Sequence, residues 1–238
     1  MVISKLIDEF PTMEYLAAMR EGWRNAERFL DGYFAPSQRS GDPEEEYRIL
    51  YQYFRLYSMW ANRYKHAHAK LDKTVLRLRD LTPPDSQLPL YVAKRLFEHF
   101  NNVDLALVFV RQAIETGFAS KEPFYEHSYI VQALGLEIAI LVRHFPDSEQ
   151  IPRDCWLLST ACHHSRGVVN QYFVETVRSL IDSGRVPSSW IRTILQNAWG
   201  EYAQYQKFSD QDYSVKLAEI EELLASLPDS VVLPTSEN

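Results

Sequence analysis

Arg63, His66, Lys70, Lys73 and Arg77 recur at steps of three and four residues, the spacing that lines up side chains along one strip of an α-helix. The strip is about 21 Å long. Lys65 and Arg79 add to it, so residues 63–80 hold six Lys or Arg against Asp72 and Asp80, a local net of +4 in a chain whose net charge is −7. Such cations reach phosphates or carboxylates without demanding a sequence. The strip therefore reads as a track for a nucleic-acid backbone or an acidic partner. The plainer reading is a solvated face, or ion pairs to the acidic stretch Glu219, Glu221 and Glu222. The overall negative charge argues against a wholly electrostatic nucleic-acid binder.

Other constellations carry less. Cys162, His163 and His164 have ligand chemistry, but consecutive residues of a helix point about 100° apart, so they do not close on one ion. No histidine has a glutamate three residues before it, and His-Glu-x-x-His is missing, so no metal site is expected. Glycine-rich phosphate loops and the G-x-S-x-G elbow are missing too, and no cofactor is expected. The 12 Phe, 14 Tyr and 5 Trp stand at helical spacings and read as core and interface residues.

Within the strip, Arg63-Tyr64-Lys65-His66-Ala67-His68 matches R-x4-H and the wider R-x-K-x-A-H, with Asp72 shortly after. This string resembles the motif of the HEPN superfamily, all-helical proteins that include metal-independent ribonucleases of toxin and phage-defence systems. The resemblance implies that Arg63 and His68 of two protomers meet across a dimer cleft. It further implies that His68 assists proton transfer at the 2′-hydroxyl or the leaving oxygen while Arg63 steadies the phosphate charge. On a straight helix, five positions turn two side chains about 140° apart. There His68 falls on the apolar seam, as a buried and hydrogen-bonded histidine. A break in the helix, or a dimer, would bring the pair to one site.

The elements that must position these residues are helical. Tyr47, Leu50, Phe54, Tyr57, Ala61, Tyr64, His68, Leu71, Val75 and Leu78 form a ladder of alternating threes and fours. Asp42 as cap, Pro43 as first residue and Glu44, Glu45 and Glu46 behind it mark its start, and Pro83 and Pro84 its end. The ladder predicts one long central helix over 42–80, about 57 Å long. Further helices are expected over 12–34, 90–116, 123–144, 152–182, 188–207 and from Ser209 or Asp210 to 227. Gly117 and Gly184 are the expected stops of two of them, and Gly167 a bend. No alternation of strand type persists. The expectation is an all-α single helical bundle of about seven helices over 1–228, with a hinge at 82–89 and a flexible tail at 229–238.

Composition fits such a bundle, with 46% hydrophobic residues, 24% charged residues and only 8 glycines among 238. Cys155 and Cys162 would lie about 10 Å apart on one helix, too far for a disulfide. Both therefore read as reduced thiols of a cytoplasmic protein. The N-terminal residues lack a secretory pattern, and the most apolar run, 130–142, is too short to span a bilayer, so no membrane is expected as partner. The leading functional expectation is a non-catalytic helical protein that binds another protein or a second copy of itself. The alternatives are a HEPN-like endoribonuclease and a non-catalytic RNA or DNA binder using the strip.

Overall fold

The computed structural model describes residues 13–35, 41–121, 123–161, 172–208 and 212–228. These form eleven α-helices and, among the described residues, no strand. The all-α class agrees with the spacing of the apolar residues. The number exceeds seven because three of the expected rods are broken and a fourth is described only in two pieces. The backbone groups into two compact units, residues 1–116 and 117–238.

In the first unit, α1 (Met13–Glu21) and α2 (Trp23–Phe34) replace one helix over 12–34. Gly22 separates them at φ 123°, a conformation open to glycine and strained for other residues. Trp23, Ala26, Leu30 and Phe34 then form the buried stripe of α2. The next helix, α3 (Pro43–Trp60), starts as its sequence dictates. The Asp42 carboxylate accepts the Glu44 N–H at 3.0 Å, Pro43 is the first residue, and three glutamates face the positive end of the dipole.

The single long helix over 42–80 is not present. The chain leaves α3 at Trp60, turns through residues 61–64, and begins α4 (Lys65–Arg79). Tyr64 sits extended at φ −136°, ψ 117°, and the Trp60 carbonyl accepts the N–H groups of both Arg63 and Tyr64. Arg77 of α4 meets Glu46 of α3, and Lys70 lies over the Tyr57 ring. Both pairs centre on the turn, so α3 and α4 are an antiparallel hairpin. The physical reason is burial. A rod of about 57 Å would overshoot a unit of about a hundred residues, whose radius of gyration is about 13 Å. Folded back, its apolar seam is covered.

The expected helix over 90–116 is likewise two, α5 (Gln87–Phe100) and α6 (Val103–Ala119). Asn101 adopts the left-handed conformation at φ 50°, and the Asn102 N–H closes back on the Leu96 carbonyl at 3.0 Å. The Asn102 side chain then caps α6, accepting the Leu105 N–H at 3.2 Å. One dipeptide thus ends one helix and starts the next. Helix α6 runs through Gly117, the expected stop, to Ala119.

The second unit is built on α7 (Pro123–His144), whose residues 130–141 are nearly all buried, with α8 (Gln150–Ala161) and α9 (Phe173–Ser183) against it. Helices α10 (Ser188–Phe208) and α11 (Ser214–Ser226) complete it. Gly184 closes α9 at φ 62°, and Arg185 donates to the carbonyls of Pro146 and Asp147 that follow α7. Cys155 is buried and free. Among the described residues, no helix is long and apolar enough to cross a membrane, and no cluster of ligand side chains suits a metal ion. Cys162, His163, His164 and Gly167, the caps Ser209 and Asp210, and the tail over 229–238 lie outside the described residues.

Candidate functional site

The five residues of the basic strip all face water, but they are not alike. Arg77 is engaged: its Nε and terminal nitrogen hold both oxygens of Glu46, at 2.8 and 3.1 Å. Lys70 is engaged as well, pairing with Glu27 of α2. Glu27 also accepts the Tyr57 hydroxyl at 2.5 Å, so one carboxylate ties α2, α3 and α4 together. Burial, and then that hydrogen bond, push the Tyr57 hydroxyl far above its ordinary range and hold it as a donor. The acidic residues expected as partners of the strip are occupied elsewhere. Glu219 pairs with Lys216, Glu221 accepts the Trp199 indole N–H, and Glu222 meets Arg178.

Arg63, His66 and Lys73 are different. No carboxylate pairs with any of them among the described residues. Arg63 projects from the 61–64 turn, its guanidinium 5.7 Å from the centre of the Trp60 ring. Trp60 leans on Tyr64 at 5.9 Å, and Tyr64 on Trp23 at 6.4 Å, so three aromatic rings run from the turn to the start of α2. Cations lie over the far end too, with Arg24 and Lys70 at 5.5 and 5.7 Å from the Trp23 ring.

Beside this row is an open groove of about 450 Å³. Trp23, Arg24, Asn25 and Arg28 of α2 line one side, and Tyr64 and His66 line the other. Glu21 supplies the carboxylate of the lining, and it accepts the Asn25 amide at 3.1 Å. Asn25 in turn accepts from Arg28 at 2.9 Å, which fixes that guanidinium beside the groove. Arg24 has no carboxylate partner among the described residues. The groove exists because two breaks, at Gly22 and at residues 61–64, put the starts of α2 and α4 side by side. Neither start carries a side-chain cap. The arrangement can hold a small anion or a planar ring.

His68 is not on the buried seam. The ladder is interrupted at the turn: Ala67, Leu71, Val75 and Leu78 face the core, while Tyr64 and His68 face water. His68 Nε2 lies 3.8 Å from Asp72 Oδ2, and its ring is 6.4 Å from Phe100. Arg63 leans on Trp60 and His68 on Phe100, so each has its own neighbours. Sequence reasoning missed Trp23, Arg24 and Arg28. Arg20, Arg24 and Arg28 recur every fourth residue, a basic row that was available as a signal. No protein-family model, curated protein or solved structure matches this chain.

Proposed function

We propose that this protein acts by binding, and that its first unit holds single-stranded nucleic acid on the cation–aromatic face. One observation carries the reading: Arg24 and Arg63 each lie over a tryptophan plane without a carboxylate partner among the described residues. Arginines so placed reach phosphates, and an open ring such as Tyr64, 47% exposed, offers a base about 1–3 kcal/mol of stacking. The charge balance agrees. Residues 1–116 hold sixteen Lys or Arg against sixteen Asp or Glu, and residues 117–238 hold nine against sixteen. The whole −7 therefore belongs to the second unit, and the first is free to approach a polyanion. Equilibrium binding of a short single strand tests this. The double variant Arg63→Ala, Lys73→Ala is expected to bind at least about tenfold more weakly at low salt. A strand that the parent protein does not bind would overturn the reading.

A protein partner draws its support from the second unit, where Phe208 and Val215 are 88% and 68% exposed. It predicts a complex that survives the same charge changes. The HEPN-like ribonuclease reading has a different support. The turn sets Arg63 just outside α4 and brings His68 into the open beside Asp72, so both side chains reach solvent. On that reading Arg63→Ala and His68→Ala each abolish RNA cleavage. Absence of cleavage by the parent, or cleavage unchanged in both variants, removes it.

A further inference from the structure

We infer that the groove between the starts of α2 and α4 is a site for a nucleoside phosphomonoester, either the 5′-phosphorylated end of a strand or a free mononucleotide. The inference rests on the nucleic-acid reading only for its strand-end form. Size comes first: about 450 Å³ is within the range of pockets that bury one small ligand, and far short of a track for several nucleotides. Charge comes second. The guanidinium groups of Arg24 and Arg28, with the His66 imidazole beside them, line the groove against one carboxylate among the described residues, that of Glu21, which is already accepting the Asn25 amide. A terminal phosphomonoester carries about −1.5 to −2 charges at neutral pH, against about −1 for an internal phosphodiester. A compact group of cations therefore favours an end over a mid-strand phosphate. Shape comes third. Tyr64, backed by the buried Trp23 at 6.4 Å, gives the groove an open aromatic wall on which a base or ribose face can rest while the phosphate meets the guanidinium groups. The uncapped starts of the two helices add a weaker favourable field of the same sign.

Arg28 is fixed by Asn25, whereas Arg24 lies over the Trp23 ring with no carboxylate partner among the described residues. Arg24 is thus the residue whose removal strips the groove of charge at least structural cost. Trp23 is buried, and its replacement would disturb the unit.

Calorimetric titration of the full chain with adenosine 5′-monophosphate, adenosine and inorganic phosphate tests the site. The monophosphate is expected to bind at least tenfold more tightly than adenosine. Arg24→Ala is expected to remove most of that difference, and Arg24→Lys to keep part of it, with circular dichroism unchanged in both. Equal affinity for adenosine and its monophosphate, or a preference that Arg24→Ala leaves intact, overturns the inference. Matched oligonucleotides with and without a 5′-phosphate separate the two sources. Tighter binding of the phosphorylated strand supports the strand end. Binding of the monophosphate with neither strand bound supports a free nucleotide, and takes the nucleic-acid reading down instead. Equal binding of both strands with no response to the monophosphate leaves that reading standing and removes this site.

Discussion

Leu71 and His68 are three positions apart on one helix, and one is sealed while the other stands in water. Both were rungs of the same ladder: periodicity marks an apolar face, but His68 stands in the first turn of α4, where Ala67 faces the core in its place. The rungs at Tyr47, Phe54 and Tyr57 are buried on α3, Ala61 just past its end, and Leu71, Val75 and Leu78 on α4. Only Tyr64 and His68, on either side of the new helix start, lie exposed. The candidate site was legible to the same degree. The exposure of Arg63, His66 and Lys73 follows from spacing, but the engagement of Lys70 and Arg77 by Glu27 and Glu46 depends on contacts across helices that spacing does not encode. Cys155 gives a test at this scale. Burial, and then the neighbouring Asp154, push its thiol from 9.0 to about 12. In a Cys162→Ala background, alkylation at pH 8 is expected to run at least about a hundredfold slower in the folded protein than in denaturant. The linked stability is full below the ordinary thiol value and is lost as pH rises through about 12, because the unfolded thiol ionises first. Equal labelling rates in both states would show that Cys155 is not in the core.

At the scale of elements, starts were easier to read than breaks. The start of α3 was explicit because a cap, a proline and three glutamates act within one turn. The breaks at Gly22, at 61–64 and at Asn101–Asn102 carry weaker signals. An alanine-asparagine-arginine turn has no proline and no glycine, and what selects it is the burial gained when α4 folds onto α3. The first break was marked by a glycine inside a helical pattern, which is tolerated often enough to be passed over. The cap of α3 is the element-level prediction. Asp42→Ala is expected to lower the unfolding free energy by about 1 kcal/mol, and Asp42→Ser by much less, in urea denaturation at neutral pH. An alanine variant as stable as the parent would mean that the carboxylate bond to Glu44 does not hold this helix end.

At the scale of the molecule, charge is divided as the fold is. The first unit balances its charges and places Arg24 and Arg63, without a carboxylate partner among the described residues, over aromatic rings. The second carries the net negative charge and the well-exposed Phe208 and Val215 on α10 and α11. That division follows from sequence position alone once the unit boundary is known, and the boundary falls at Gly117, which reads as a helix stop although α6 runs through it. It also separates the proposed roles, with a polyanion at one unit and a protein surface at the other. The most direct test is the affinity of a fluorescent single-stranded RNA measured between about 50 and about 200 mM salt for the parent and for the double variant Arg24→Ala, Arg63→Ala. With about three phosphates neutralised, log affinity against log salt is expected to fall with a slope of about −2, and the double variant to flatten it by more than half. Affinity that is absent, indifferent to salt, or unmoved by the two substitutions would contradict the account.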